Sequence, residues 1–124
     1  MSTAFITSRR VEFSDTDAAG IIHFTAYFRM MEQAEHELLR SVGLSVVAHD
    51  QTGEIGWPRV TARCQFDAAA PFEDVLQIEV QIVRLGEKSI TYAHRFSRDG
   101  QLVASGEITA VCCRVRNDRP PEPL

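Results

Sequence analysis

The stretch Asp15-Thr16-Asp17-Ala18-Ala19-Gly20, running directly into Ile21-Ile22-His23-Phe24, divides a short apolar-alternating segment from a long amphipathic one. Downstream, Phe24, Tyr27, Phe28, Met31, Ala34, Leu38 and Val42 recur at three- and four-residue steps, while Arg29, Glu32, Gln33, His36, Glu37 and Arg40 take the opposite face. The spacing predicts a helix over residues 22–42, with Gly43 as its C′ stop. Two carboxylates therefore sit in a glycine-ended loop just before a helix N-terminus. That terminus has unpaired backbone N–H groups and about half a unit of positive charge. A carboxylate there lies beside a place where a developing oxyanion can be held.

Outward from this corner the period changes to two. Upstream, Phe5, Thr7, Arg9, Val11 and Phe13 share one parity and predict a strand over residues 4–14. Downstream, one helical turn is expected around Val46–His49, and Trp57-Pro58 is biased to extended geometry. Val60, Ala62, Cys64 and Phe66, then Leu76, Ile78, Val80 and Ile82, then Ile90, Tyr92 and Phe96 mark three strands. Gly86-Glu87 and Asp99-Gly100 stand where hairpin turns belong. A last strand over roughly 102–115 is small-sided through Ala104-Ser105-Gly106, as a strand crossing under a helix requires, with a bulge expected near Gly106. Prolines in the tail at 119–124 argue that it is loose, outside a single domain at 1–118. The class is α+β: one long helix packed into a curved, five-stranded antiparallel sheet.

Composition excludes several functions. The 124 residues make one domain, 44% hydrophobic and 24% charged. A net charge of −4 and a single lysine, Lys88, without a polybasic run, argue against nucleic-acid binding. No apolar run reaches the roughly 18 residues of a membrane span. Cys64, Cys112 and Cys113 form neither a disulfide framework nor a C-x-x-C zinc pattern, which favours a reducing, cytoplasmic compartment and no metal. An EF-hand reading of Asp15–Gly20 fails because Ala19 and Ala26 stand where calcium ligands belong.

Asp15 reads as a cap or turn residue, worth about 1 kcal/mol. Asp17 reads as the reactive carboxylate, given Gly20, the helix start and the large apolar side chains that follow. His23 reads as a pocket wall or hydrogen-bonded structural group, and His94 as a satisfied core residue. Glu32 belongs to a solvated helix face, and Trp57 lines a pocket or packs in the core.

Taken together, Val11 to Phe24, Tyr27, Gly56-Trp57-Pro58, Pro71 to Leu76 and Glu87-Lys88-Ser89 resemble the 4-hydroxybenzoyl-CoA thioesterase family, which includes the Tol–Pal-associated acyl-CoA thioesterases. The resemblance implies the hotdog fold, a homodimer joining two sheets, and hydrolysis of a small to medium acyl- or aroyl-CoA at the dimer interface; whether two dimers join into a homotetramer is left open. It places Asp17 at the catalytic carboxylate and the backbone N–H of Phe24 at the group polarising the thioester carbonyl. Gly20, His23, Tyr27, Trp57, Pro58, Lys88 and Ser89 are expected to bind substrate, and the resemblance puts Lys88 at a position whose basic residue meets CoA phosphate. Where several members carry Tyr-His, this chain has His23-Phe24. No cofactor is implied beyond the coenzyme A of the substrate. Asp17 is left as nucleophile or general base, and a non-hydrolytic acyl-thioester-binding or dehydratase-like domain is the alternative. A dehydratase needs a histidine–carboxylate arrangement on the helix that the spacing does not show.

Overall fold

The structure, a computed structural model, describes residues 4–50, 53–116 and 119–123. Its elements are β1 (Phe5–Arg10), a 3-10 turn (Phe13–Asp15), α1 (Ala26–Ser41), β2 (Ala48–Asp50), β3 (Gly53–Gly56), β4 (Arg59–Phe66), β5 (Val75–Leu85), β6 (Ser89–Arg98), β7 (Gln101–Val111), β8 (Cys113–Arg116) and β9 (Arg119–Pro123). The expected five-stranded antiparallel sheet is present in the order β1-β5-β6-β7-β4. Its inner face packs on α1 through Ala26, Tyr27, Met30, Met31 and Ala34 against Leu76, Ile78, Val80, Phe96 and Ile108.

The helix starts at Ala26 rather than Ile22 because the preceding residues are spent on bridges. Thr16 pairs with Ile22 and Ile21 with Pro71, and the Ile22 N–H donates to Ala70 at 2.8 Å. At the other end the Leu44 N–H reaches the Leu39 carbonyl and the Gly43 N–H the Arg40 carbonyl. With Gly43 at φ +80°, this is the 6→1 and 5→2 pattern of a Schellman stop. The β6–β7 hairpin turns through Asp99 and Gly100, both at positive φ (50° and 81°), as a two-residue type I′ turn demands.

Four expectations are corrected. The helical turn around Val46–His49 is instead a bend, where Ser45 Oγ accepts the Val47 N–H, followed by β2. The proline-rich tail is not loose: β9 pairs antiparallel with β8 at the edge of a second sheet, β2-β3-β8-β9, where a missing donor can face outward. Phe13 leaves the inward parity at the 3-10 turn and is 79% exposed, edge-on to Phe72. No bulge occurs at Gly106, which stays in register with both His94 and Cys64; register shifts fall at Arg59/Thr61, Ile82/Arg84 and Phe96/Ser97.

Gly106 does provide the small surface that a crossing helix needs. A Cβ there would lie 2.3 Å from Met31 Cε and 2.8 Å from the Arg63 carbonyl oxygen. The methionine tip can swing away, but the β4 backbone cannot without breaking the ladder. Gly106→Val is therefore expected to cost about 2–3 kcal/mol, read as a lower denaturant midpoint at unchanged m-value.

Candidate active site

The loop between β1 and α1 folds back on itself. The Asp17 N–H donates to the Ile21 carbonyl at 2.9 Å, the Gly20 N–H to the Asp17 carbonyl at 3.0 Å, and the His23 N–H to the Asp15 carbonyl at 2.7 Å. Gly20, at φ +79°, allows the reversal. Asp17 is exposed, and its Oδ1 accepts the Ala19 N–H at 2.8 Å in an Asx turn. Its other oxygen has no partner among the described residues.

Asp15 behaves differently. It is buried, accepts the Glu12 N–H at 2.8 Å and is paired with Arg29. It locks the 3-10 turn to α1, so one aspartate of the loop is structural and the other is presented to solvent.

Helix α1 begins without a side-chain cap and without an acidic residue in its first turn. The Ala26 N–H is satisfied by the His23 carbonyl, and the Thr25 N–H by His23 Nδ1 at 3.2 Å. The neutral His23 ring therefore carries its proton on Nε2. Its imidazole stacks on Phe24 with centroids 4.7 Å apart. The Phe24 N–H has no acceptor among the described residues, and its side chain is 59% exposed. Asp17, Gly20, His23 and Phe24 thus share one solvent-facing loop at an uncapped, positive helix terminus.

Tyr27 is packed in the core, its ring 5.4 Å from Phe66 and 5.1 Å from Phe96, and burial pushes its hydroxyl up to about 12. Trp57, Pro58, Lys88 and Ser89 lie far from the loop in a single chain. Pro58 accepts from the Val111 N–H and Lys88 from the Cys112 N–H, at the end of the sheet where β5 passes into β6. The Asp17 loop touches Pro71 and Phe72, just before β5 begins. The eleven residues of β5 separate the two ends by about 35 Å.

Burial, with Asp67 beside it, pushes the Cys64 thiol up to about 11, and burial raises Cys112 as well.

One polar cluster escaped the sequence reading. Glu35 is fully buried on α1, with Oε1 2.6 Å from Arg59 Nη1 and Oε2 2.8 Å from His94 Nε2. Its signal was its place four residues after Met31 and three before Leu38, inside the apolar stripe. His94 is in the core as expected but is not fully satisfied, since its Nδ1 has no partner among the described residues. The pair is a histidine–carboxylate contact between α1 and β6. Beside it lies a cavity of about 530 Å³, walled by Leu38, Val42, Trp57, Ile82, Ile90 and Tyr92 and reaching Glu35 and Arg59.

A family model described as the thioesterase-like superfamily matches residues 11–123. A 4-hydroxybenzoyl-CoA thioesterase of Pseudomonas sp. (strain CBS-3) is 33% identical over 103 residues, covering 79% of this chain and 71% of that protein. A 1,4-dihydroxy-2-naphthoyl-CoA hydrolase of Synechococcus sp. (strain WH7803) is 32% identical over 119 residues, covering 90% and 78%. The solved structure of a gentisyl-coenzyme A thioesterase superposes with a TM-score of 0.81 at 31% identity, covering 97% of this chain and 95% of that one. Matched over nearly all its length, in sequence and in the packing of one helix into a curved five-stranded sheet, the chain belongs to the thioesterase-like superfamily as one of its hotdog-fold thioester hydrolases.

Proposed function

We propose that this protein hydrolyses a small to medium acyl- or aroyl-CoA, with Asp17 as nucleophile or general base and the Phe24 N–H as the donor to the carbonyl oxygen. The observation that carries the reading is the exposed Asp17 carboxylate, with one oxygen free, on the loop that ends at an uncapped helix terminus with an unpaired amide. A thioester carbonyl is electrophilic and a thiolate leaves readily. In the nucleophilic route the Asp17 carboxylate adds to the carbonyl carbon, the C–S bond breaks and the CoA thiolate departs. Water then cleaves the mixed anhydride to the carboxylic acid and regenerates Asp17. In the general-base route Asp17 takes a proton from the attacking water instead. Both routes place negative charge on the carbonyl oxygen, where a backbone donor at a helix N-terminus contributes about 3–4 kcal/mol in the transition state.

Substrate binding completes the site from a second copy of the chain. Trp57 and Pro58 of one subunit face the Asp17 loop of the other, and Lys88, with Ser89 beside it, meets the CoA phosphates. The active unit is a homodimer. No cofactor is required, and three unpaired cysteines fit a reducing cytoplasm. Among the described residues no helix is long and apolar enough to cross a membrane. Thiol release from a panel of aliphatic and aromatic acyl-CoAs tests the activity. Absence of release from every member would overturn it in favour of a non-hydrolytic thioester-binding domain.

Lys88 carries a prediction of its own. It is exposed at the β5–β6 turn, and contacts to the nucleotide are the same in ground and transition states. Lys88→Ala is expected to raise KM for acyl-CoA about threefold to tenfold at low salt and to leave kcat nearly unchanged. The difference shrinks as salt screens the charge. Equal KM values at low salt would send the phosphates to other residues.

A further inference from the structure

The reaction at Asp17 makes no use of the buried cluster on the inner stripe of α1. Glu35 has both oxygens engaged, one by Arg59 and one by His94. His94 Nδ1 is buried with no partner among the described residues, while Nε2 faces Glu35 Oε2 at 2.8 Å and, as the donor to that carboxylate, carries a proton. Arg59 is the member with unspent capacity. It has five N–H donors, of which one goes to Glu35. Its Nη2 lies 3.6 Å from Glu32 Oε2, too long for a hydrogen bond. The register shift between Arg59 and Thr61 accompanies an Arg59 side chain directed inward, three-quarters buried, although it starts an edge strand.

Arg59 and Glu35 both line the 530 Å³ cavity, whose remaining walls are mostly apolar. That volume is in the range of small-molecule pockets, where an apolar wall holds the body of a ligand and a few polar groups fix its orientation. The Arg59 charge is already balanced by Glu35, with Glu32 close by, so the cavity end carries donors without an excess of positive charge. A neutral acceptor oxygen fits such an end better than a carboxylate.

We propose that this cavity receives the acyl part of the thioester, and that Arg59 determines specificity by donating a hydrogen bond to a hydroxyl or carbonyl oxygen on the acyl group beyond the thioester carbonyl. Glu35 and His94 are the positioning residues that hold the guanidinium in place. The inference rests on the thioester-hydrolase reading above and on a site shared between two copies. Trp57 and Arg59 lie where edge pairing of β4 brings the partner's loop, and the same two residues are walls of the cavity.

The test compares size-matched substrates, octanoyl-CoA against its 8-hydroxy analogue and benzoyl-CoA against ring-hydroxylated benzoyl-CoA. The wild type is expected to favour the better-placed oxygenated substrate by about tenfold or more in kcat/KM, since unmet donors penalise the analogue that lacks the oxygen. Arg59→Met should reduce that ratio to near one through KM, keep kcat for the hydrocarbon member, and be partly reversed in Arg59→Lys. The double change Arg59→Met with Glu35→Gln removes both charges together and serves if the single variant fails to fold. Trp57 is the sole tryptophan and a wall of the cavity, so its emission in the wild type reports binding of the corresponding free acids without any turnover.

A Trp57 response that favours the oxygenated acid supports the inference even if no thioester is hydrolysed, in which case the hydrolase reading alone falls. Hydrolysis with an oxygen preference that survives Arg59→Met overturns the inference and leaves the hydrolase reading standing. Absence of any preference in the wild type, in turnover and in Trp57 emission alike, also overturns it.

Discussion

Asp17→Asn is expected to lower kcat for acyl-CoA hydrolysis by about three orders of magnitude while the protein stays folded. Asparagine is isosteric, and its side-chain oxygen can still accept the Ala19 N–H that closes the Asx turn. The loop therefore keeps its shape, held also by the Asp17 N–H to Ile21 carbonyl bond and by the Thr16–Ile22 bridge. What is lost is the negative charge on the free oxygen, and with it either the nucleophile or the base. KM should change little, because the proposed CoA contact is at Lys88, away from the loop. Steady-state kinetics of the purified variant, alongside its thermal midpoint, check both halves of the expectation. Turnover within a few-fold of wild type in a folded variant would remove Asp17 from the chemistry. A transient mass increase equal to the acyl group, seen in rapid-quench samples of the wild type, would assign the nucleophilic route.

The parts of this molecule that were legible in the sequence are those where local chemistry and tertiary structure agree. The three-and-four spacing from Tyr27 to Leu38 marks α1, and Gly43 stops it by a backbone motif that glycine favours. The pairing of β5, β6 and β7 follows from clean alternation with Asp99-Gly100 between two of them. The Asp15–Gly20 loop stood out by its company, since an aspartate before a helix is also an ordinary cap or turn residue: Gly20, a helix start and large apolar side chains follow the two acids. Other features depend on partners distant in the chain. Glu35 is a charge inside the apolar stripe whose role shows only when Arg59 and His94 arrive from two strands to compensate it. The second sheet is built from strands of three to five residues, two of them flanking β4 and β7, too short for a period to show. The tail misled because proline removes a donor, and an edge strand can do without one on its outer side. At β4 the alternation was real, yet Val60 is 57% and Phe66 48% exposed, so the pattern marked a surface apolar enough to be covered and not a core already formed.

That surface sets the second large effect: catalysis is expected to require two copies of the chain joined through β4. The five-stranded sheet ends at β1 and at β4, each with one row of backbone groups unpaired in the single chain. β1 is the shorter edge, and its inward Thr7 and Arg9 are tied to Glu37 on α1. β4 presents Val60 and Phe66 to solvent and has no proline within its eight residues. Pairing β4 with its own copy about a two-fold axis is necessarily antiparallel, so the Arg59 end of one strand lies beside the Phe66 end of the other. Phe66 packs on Tyr27 in the first turn of α1, the turn that follows Phe24. Such a two-fold would bring Trp57 to Arg59 of one chain toward the Asp17 loop of its partner, joining groups that lie toward opposite ends of the sheet within one chain. Light scattering should give a dimer across the micromolar range, and specific activity should fall when dilution separates the chains. Val60→Asp sets carboxylates into the joined edge from both copies. It should weaken the dimer by at least a hundredfold and reduce activity at a given concentration in parallel, with little change in the stability of the single chain. Full activity in a species that sedimentation shows to be monomeric would refute the shared site.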